Sequence, residues 1–554
     1  MSLPLPALRQ SAAELLAYAI CDVFPGTHLV NSGTTNIDFY YDVIAPVPLD
    51  EQCLILLEER MRFLMKEALP VRTLDMMREN AIQFLIHHKQ PIKAEIVKHV
   101  PSNVVRILQV GDFIDFCPLP YMTQTDQVGF FKLQSVTPTN VYIKNLEYLD
   151  VMRIRGTAFH EKSDLKNQLK QVERAKKYNH WAIGLEMQLF APIDEECFQW
   201  LPKGSALIQH LLKWLNTQQV KQGFEFIEFP LLLPNTFKNN QLTTLEINDR
   251  EFICFPPPQL LPIVPNSMPS NRYFGRISQC NAAPIDQLQG LLNPRSGTFD
   301  LSQIFCNREQ LQEELNSSLH FIDGFIKIVG LKHHWYLSAN QNSTTGQEKS
   351  WNQSYSCVES ALQECGLNYT IDKQIERRYG PRVELGLADA SGREWRSSFI
   401  SIDLVQTSPG DDIGRNPTPL RVSRSVFGLI ERFIAVLIEH FEGKLPLWLA
   451  PEQVRIIPLS VKNAEYAKQI QSQLEAAGFR CKADMHPLSL GERIHLAERE
   501  KIPYCVIVGE KEEQNDVITV RSSQKGQMKD AITIGSFLNQ LQAALQEGHG
   551  VESK

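Results

Sequence analysis

Between residues 454 and 545 the sequence alternates short apolar runs with segments of helical periodicity. The runs predict strands and the periodic segments predict helices, with short glycine-marked turns between them. The predicted strands cover 454–459, 480–484, 504–508 and 517–520, and the predicted helices cover 462–477, 490–501 and 534–545. Strands that alternate with helices over short connections form a mainly parallel sheet with helices packed on it. This stretch therefore predicts a small α/β domain.

The rest of the chain is expected to form further domains, because its 554 residues far exceed the roughly 150 of one typical domain. We predict four segments, at 1–160, 161–190, 191–445 and 446–554. The first combines a helix at 11–24 with strands at 35–41 and 106–116. Gly111-Asp112 interrupts the second of these strands.

The second and third segments have different patterns. Residues 163–190 predict one connector helix with Ser163-Asp164 as its N-cap, and its charged surface is typical of a solvated linker. The third segment combines predicted strands at 384–388 and 399–405 with a strongly amphipathic helix at 430–441.

Composition narrows the class of protein. The apolar share of 43% and the charged share of 21% are ordinary for a globular protein. No apolar run reaches the roughly 20 residues that span a bilayer. The 11 cysteines are scattered, with no C-x-x-C pair, which favours reduced thiols. We therefore expect a cytoplasmic protein without membrane contact. The net charge of −7 gives no general nucleic-acid signal, although phosphate binding needs only a local basic face.

Motifs on both sides of residue 445 carry a family resemblance. Gly428 and Glu431-Arg432-Phe433 open the amphipathic helix, and Trp448-Leu449-Ala450-Pro451 follows it. With residues 277–306, which align without gaps to a second signature motif, they resemble the threonyl-tRNA synthetase family of class II aminoacyl-tRNA synthetases. The resemblance begins after the family's small ubiquitin-like domain. It implies an α+β multidomain fold, with an N-terminal editing-like α+β domain, a class II antiparallel-sheet core and a C-terminal α/β anticodon-binding-like domain.

The resemblance also identifies the core positions that carry chemistry in the family. The Arg that binds the α-phosphate of ATP aligns with Asn281, and a Glu that contacts adenine aligns with Ala283. Asn lacks the charged planar fork of Arg, so its presence is expected to cost about 10²–10³ in rate. The family's three zinc ligands align with Gln259, Gln303 and Ser423, none of which offers sulfur or imidazole. We expect no zinc, while ATP binding stays open.

Three residues are candidate remnants of an ATP site. Arg432 corresponds to the family's adenine-stacking Arg, and Glu431 and Arg295 match the family beside it. The alternative role for Arg432 is a pair with Glu431 or another carboxylate that holds the helix. Phe399 and Ser401 lie in the strand expected to line the threonine pocket. The bulky ring of Phe399, and Ser401 in place of the family's Gln, would remove hydrogen-bond partners from the threonine substrate.

The first segment resembles the family's editing domain, which hydrolyses mischarged tRNA with a His-x-x-x-His pair and a Cys-x-x-x-His pair. The i, i+4 spacing aims two imidazoles at one point. Here Gln10 and Glu14 stand at the two histidine positions, and Cys117 is followed by Tyr121. Neither Gln nor Tyr supplies a base near neutral pH. We therefore expect no hydrolysis and interpret Cys117 as a buried thiol.

The resemblance implies partners as well. Glu512 and Arg521 align with family residues that read anticodon bases, which implies tRNA binding; the alternative is a scaffold kept for packing. The class II core implies a homodimer, and a full-length synthetase is a further candidate partner. Three functions stay open: a degenerate synthetase-like protein that binds tRNA or a synthetase, a divergent active threonine–tRNA ligase, and a structural or regulatory dimerisation module. The first function is favoured because the family residues that are replaced lie mainly at the adenylation, zinc and editing positions.

Overall fold

The structure, a computed structural model, describes residues 3–117, 122–143, 146–228, 233–234, 244–247, 250–253, 270–281, 288–341, 348–377, 380–403, 420–523, 526–527 and 531–548. The chain divides into two compact units. One unit comprises Met1–Lys176 with Ser391–Arg393, and the other comprises Lys177–Ala390 with Glu394–Lys554. The finer division into four segments stays a prediction. None of the described helices is long and apolar enough to cross a membrane.

The first unit packs helices on a four-stranded antiparallel sheet with strand order β1-β2-β7-β6. A second, three-stranded sheet has the order β3-β4-β5. The elements are α1 (Leu5–Val23), β1 (His28–Thr34), β2 (Phe39–Ile44), α2 (Glu51–Lys66), β3 (Arg72–Met77), α3 (Arg78–His87), α4 (Pro91–Lys98), β4 (Val104–Val110), β5 (Phe113–Phe116), β6 (Phe130–Ile143), β7 (Glu147–Phe159) and α5 (Lys162–Lys177).

The structure corrects two predictions about residues 1–190. The strand predicted at 106–116 is a hairpin of β4 and β5, which turns at Gly111 with a φ of +58°, a conformation that favours glycine. The single connector helix predicted at 163–190 is wrong, because α5 ends at Lys177 and a separate helix begins at His180. The Asn179 side chain accepts from the backbone N–H of Ala182 at 2.7 Å and so starts the second helix.

The second unit is built around an eight-stranded sheet with strand order β10-β14-β15-β20-β19-β18-β16-β17. Its inner pairs are antiparallel, and the two outermost pairs are parallel. The elements are α6 (His180–Glu186), β8 (Phe190–Pro192), β9 (Phe198–Trp200), α7 (Pro202–Lys221), β10 (Glu225–Phe226), β11 (Leu233–Pro234), β12 (Thr244–Ile247), β13 (Arg250–Ile253), β14 (Arg272–Cys280), β15 (Ser296–Cys306), α8 (Leu311–Val329), β16 (His333–Gln341), α9 (Glu348–Glu364), β17 (Tyr369–Arg377), β18 (Arg382–Ala388), β19 (Glu394–Asp403), β20 (Leu420–Ser425) and α10 (Ile430–His440).

The α/β domain follows in the same unit and confirms the fold predicted for residues 454–545. Its sheet has the order β22-β21-β23-β24-β25, with the first three strands parallel and the last two antiparallel. The elements are β21 (Val454–Pro458), α11 (Ala464–Ala476), β22 (Cys481–Ala483), α12 (Leu490–Arg499), β23 (Tyr504–Val508), α13 (Glu510–Asn515), β24 (Thr519–Ser522), β25 (Gly526–Gln527) and α14 (Ile534–Gly548). The sequence did not predict α13 or β25.

Four charged side chains join α7 of the core to this domain. Lys203 Nζ lies 2.5 Å from Glu500 Oε2 and 3.4 Å from Glu452 Oε2. Arg455 donates to Glu500 Oε2 at 2.7 Å and to Glu452 Oε1 at 2.7 Å. Burial alone would raise the pKa of Glu500, but the bonds from Lys203 and Arg455 outweigh it and lower that pKa. The Glu500 carboxylate is therefore held ionised between Lys203 and Arg455.

Replacing Glu500 with Gln is expected to destabilise the protein by on the order of 2 kcal/mol near pH 7, because it leaves partly buried cations without their partner. Since the folded-state pKa of Glu500 is depressed, its contribution is present above the unfolded-state pKa and is lost as the pH falls through the folded-state value. The difference in melting temperature between wild type and variant should shrink toward pH 4. Glu498→Gln, in an exposed pair, is the control, and an equal effect of both variants would contradict the prediction.

Candidate functional site

Strands β15, β20 and β19 bring polar residues side by side on one face of the eight-stranded sheet. Gln303 lies opposite Ser423, and Ser423 lies opposite Ser401. Residues directly opposite each other in a sheet project to the same face. The row extends across the sheet through Tyr273, Arg382, Ser338 and Asp372. We call these residues the polar row. The adjacent positions project into the core beneath the helices, among them Ile304, Val422 and Ile402.

Two of the expected metal positions, Gln303 and Ser423, stand together in the polar row, both fully buried. Ser423 Oγ donates to Asp403 Oδ2 at 2.7 Å, and Arg421 Nε donates to the same oxygen at 2.8 Å. The carboxylate is thus engaged by a buried guanidinium. Neither amide atom of the Gln303 side chain has a hydrogen-bond partner in the described structure.

This donor set does not fit zinc, which takes sulfur, imidazole or carboxylate ligands in such sites. The hydroxyl of Ser423 and the amide of Gln303 are neutral oxygen and nitrogen groups, and the neighbouring Asp403 already pairs with Arg421. Across the described residues, no group of three or more His, Cys, Asp or Glu is arranged to hold a metal. The third expected position, Gln259, lies outside the described residues.

Phe399 lies two residues before Ser401 on β19 and therefore on the same face of the sheet as the polar row. It packs with Ile277 and Leu301 in a small apolar cluster. The Arg382 guanidinium carbon lies 3.7 Å from the centre of the Phe399 ring, and Arg382 Nε pairs with Glu384 Oε1 at 2.9 Å. A guanidinium stacked on an aromatic face is stabilised there. The strand expected to line a threonine pocket therefore presents a ring covered by the chain's own cation.

A second stacked arginine, Arg396, was not predicted as a site residue from the sequence. Its guanidinium carbon lies 3.2 Å from the centre of the Tyr336 ring, and its Nη2 donates to Asp372 Oδ2 at 3.0 Å. The Tyr336 hydroxyl donates to Glu394. Burial and the bond to Glu394 raise the pKa of Tyr336 above its usual value. These partners come from separate strands, so no local pattern in the sequence could have linked them.

Arg432 bonds to backbone carbonyls. Its Nε donates to Leu292 O at 2.6 Å and its Nη1 donates to Arg396 O at 2.8 Å. Burial lowers the pKa of Arg432 to about 10. Glu431 does not pair with it; the Glu431 carboxylate accepts from the backbone N–H of Thr298 at 2.9 Å, and burial raises its pKa to about 7. The guanidinium thus holds the start of α10 against the chain near residues 292 and 396.

Arg295 and Asn281 are held by each other. Arg295 Nη1 donates to Asn281 O at 2.6 Å, and the backbone N–H of Asn281 donates to Arg295 O at 2.7 Å. Arg295 Nε also donates to Glu196 Oε2 at 2.6 Å, which balances its charge. The Asn281 side chain donates to Asn293 Oδ1 at 3.1 Å. Ala283 lies outside the described residues.

In the first unit, Gln10, Glu14 and Cys117 meet in the interior. Gln10 Nε2 donates to Glu14 Oε1 at 2.8 Å and lies 3.5 Å from Cys117 Sγ. All three side chains are buried, and burial raises the pKa of Glu14 well above its usual value. The interpretation of Cys117 as a buried thiol is confirmed. Tyr121 lies outside the described residues.

In the α/β domain, Glu512 and Arg521 differ in how readily their side chains could bond to a ligand. Glu512 caps α13: its Oε2 accepts from the backbone N–H of Gly509 at 3.0 Å, and its Oε1 accepts from Thr519 Oγ1 at 3.0 Å. Arg521 Nη2 donates to Glu498 Oε1 at 2.6 Å, and both side chains are exposed. An exposed ion pair contributes little free energy. Arg521 can therefore exchange the Glu498 carboxylate for another anionic group at low cost in free energy.

Comparison with known proteins matches residues 453–544 to the anticodon binding domain family. The chain is 32% identical to the threonine–tRNA ligase of Clostridioides difficile over 98% of this chain and 88% of that protein. It is 30% identical to the threonine–tRNA ligase of Acetivibrio thermocellus over the same shares. The crystal structure of the RNA binding domain of threonyl-tRNA synthetase from Cryptosporidium parvum superposes with a TM-score of 0.58 at 22% identity, covering 66% of this chain and 98% of that one. This last likeness concerns the fold.

Proposed function

Because the chain belongs to the threonyl-tRNA synthetase family, we propose that it is a synthetase-like protein that binds tRNA and does not activate threonine. The observation that carries the proposal is the buried Asp403–Arg421–Ser423 network at the expected metal position. It replaces a positively charged site for the substrate's amino and hydroxyl groups with an internally balanced ion pair. Among the described residues of the core, threonine would therefore meet a balanced ion pair and not an electrophilic centre.

The other residues of the core support the same proposal. Phe399 and the stacked Arg382 occupy the face on which the substrate would lie. Asn281 presents a neutral amide where the family presents a guanidinium, and that amide already donates to Asn293. Without a preorganised cation, the charge that develops on the α-phosphate is stabilised less, by about 3–4 kcal/mol for each missing donor.

The tRNA half of the proposal is supported by the α/β domain. Its fold belongs to the anticodon binding domain family, and its sheet carries the exposed Arg521 on β24. Phosphate and base contacts to nucleic acid need only a local set of donors, so the net charge of −7 does not oppose binding.

Replacing Arg521 with Gln is expected to weaken tRNA binding about tenfold, which is typical of removing one arginine that bonds a base. Filter retention of total tRNA at two salt concentrations measures the effect, since phosphate contacts make the affinity salt-dependent. Lys468→Gln, which removes an exposed cation paired with Glu465 on α11, is the matched control. Unchanged retention by the Arg521 variant would remove this residue from the RNA-binding surface, and no retention by the wild type would refute the tRNA half of the proposal.

An active threonine–tRNA ligase is the second candidate function. It is favoured by identity of 32% to a threonine–tRNA ligase over 98% of the chain, a span that includes the core as well as the anticodon-binding domain. The candidates differ in one measurable reaction, the formation of threonyl-adenylate. Threonine-dependent pyrophosphate exchange therefore decides between them.

We also propose that the protein forms a homodimer, or a heterodimer with a full-length synthetase, through α7 and β10. Val220 on α7 and Phe226 on β10 are exposed, at 62% and 51%, and Phe226 lines a cleft of about 270 Å³. An exposed aromatic side chain on an edge strand is typical of a surface that another chain covers. The mass measured by light scattering tests this proposal: a monomer at micromolar concentration would contradict the homodimer.

A further inference from the structure

A cavity of about 320 Å³ lies where the segment after α10 meets the α/β domain. Its polar lining comes from Lys444, Lys501, Tyr504, Ser522 and Ser523. The other lining residues are leucine, proline and alanine. The lining thus includes two lysines and three hydroxyl-bearing residues and no carboxylate. A volume of this size falls in the range of about 300–1,000 Å³ that is usual for small-molecule sites.

Lys501 lines this cavity from the residue that follows the C-cap of α12. Its φ is +57°, in the left-handed region where a lysine is uncommon. Its Cγ lies 2.9 Å from the point where a Cβ on Gly443 would stand, so the lysine stem passes over a glycine that leaves room for it. This conformation ends α12, because the backbone N–H groups of Lys501 and Ile502 donate to Glu498 O at 3.1 Å and to Ala497 O at 3.0 Å.

The charge of both lysines is unbalanced within the described structure. Neither Lys444 nor Lys501 forms an ion pair with any described residue. The two acidic residues at the end of α12 already have other partners. Glu500 pairs with Lys203 and Arg455, and Glu498 pairs with Arg521. The cavity therefore carries a local positive potential on a protein whose net charge is −7.

We propose that this cavity binds a phosphate group, carried either by a small phosphate-bearing molecule or by the backbone of a bound RNA. Lysine ammonium groups and hydroxyls are the donors that phosphate oxygens accept. The site lies outside the polar row and does not depend on whether the core activates an amino acid. Its residues belong to the junction that joins the core to the anticodon-binding domain, where bound phosphate would hold the two together.

Calorimetric titration with inorganic pyrophosphate tests the proposal on the full chain. The double variant Lys444→Gln/Lys501→Asn removes both cations, and Asn tolerates the left-handed backbone at position 501. The matched control Lys462→Gln/Lys482→Gln removes two exposed lysines of the same domain. The cavity variant is expected to bind pyrophosphate at least about tenfold more weakly than wild type, as expected for removing charge-assisted bonds, and the control to match wild type.

A parallel tRNA titration distinguishes the two sources of phosphate. If pyrophosphate does not bind but tRNA affinity falls at least about fivefold in the cavity variant and not in the control, the ligand is RNA backbone. If tRNA binds the cavity variant as tightly as the control variant, and pyrophosphate either does the same or does not bind wild type, the proposal is overturned. Should the double variant fail to fold, the single variant Lys444→Gln, at an exposed position, replaces it in the comparison with the control. If only the Arg521 variant loses tRNA binding, that result bears on the proposed function and does not test phosphate binding in the cavity.

Discussion

Threonine-dependent exchange of pyrophosphate into ATP is expected to stay at the no-protein background for this chain. Adenylate formation builds negative charge on the α-phosphate, and a preorganised cation lowers that barrier most effectively. Asn281 supplies only an amide that already donates to Asn293, a change that costs about 10²–10³ in rate by itself. At the position expected for a metal, Asp403 and Arg421 balance each other, so we expect threonine to be without an electrophilic anchor as well. The two effects multiply if they act independently.

The control for this assay must exclude a trace of host synthetase. A threonine–tRNA ligase similar to this chain serves as the positive control. The variant Arg432→Ala serves as the internal one, because it releases the carbonyls of Leu292 and Arg396 in this chain and in no contaminant. Exchange above background that disappears in Arg432→Ala would belong to this protein and would establish it as an active ligase. Exchange that persists in the variant would come from a contaminant.

Replacing Asp300 with Ala is expected to destabilise the protein by about 3 kcal/mol or more, through the loss of buried hydrogen bonds. The Asp300 carboxylate is fully buried and accepts from the backbone N–H groups of Val426 at 2.6 Å and Phe427 at 2.9 Å. It also accepts from Ser425 Oγ at 3.0 Å. Alanine would leave both N–H groups buried without an acceptor, which costs more than the bonds themselves contribute.

The measurement is urea unfolding at pH 8. Burial raises the pKa of Asp300 to about 6, so the carboxylate is ionised at that pH. Glu309→Ala, which removes an exposed carboxylate beyond β15, is expected to change the free energy of unfolding by less than about 0.5 kcal/mol. Equal midpoints for the two variants would show that Asp300 does not hold the turn before α10. That turn leads through Gly428, whose φ is +68° and whose missing Cβ leaves room for the backbone of Ser397.

The sequence predicted those elements whose positions follow from a local pattern of side chains. The strands and helices of the C-terminal domain follow from consecutive residues, because side-chain periodicity reports which face of an element is buried. It failed at the connector, where the cap of Asn179 starts a new helix that the continuing apolar spacing conceals. It also missed α13, whose charged residues 510–515 have no apolar periodicity.

At the candidate site, the sequence identified positions and left their partners undecided. It identified Gln303, Ser423 and Arg432 by alignment to the family. It offered Arg432 two roles, a nucleotide contact or a pair with Glu431. The structure shows a third arrangement, in which Arg432 bonds the carbonyl of Leu292, 140 residues earlier in the chain.

The family, the class of fold and the residue types at each chemical position were determined by the sequence alone, since each depends on the order of neighbouring side chains. The tertiary structure decided which charges neutralise one another. Arg421 meets Asp403 because β19 and β20 pair in one register, and a shift of one residue would turn these side chains to opposite faces. Lys444 and Lys501 likewise face one cavity because distant segments pack together, a proximity that no local pattern records.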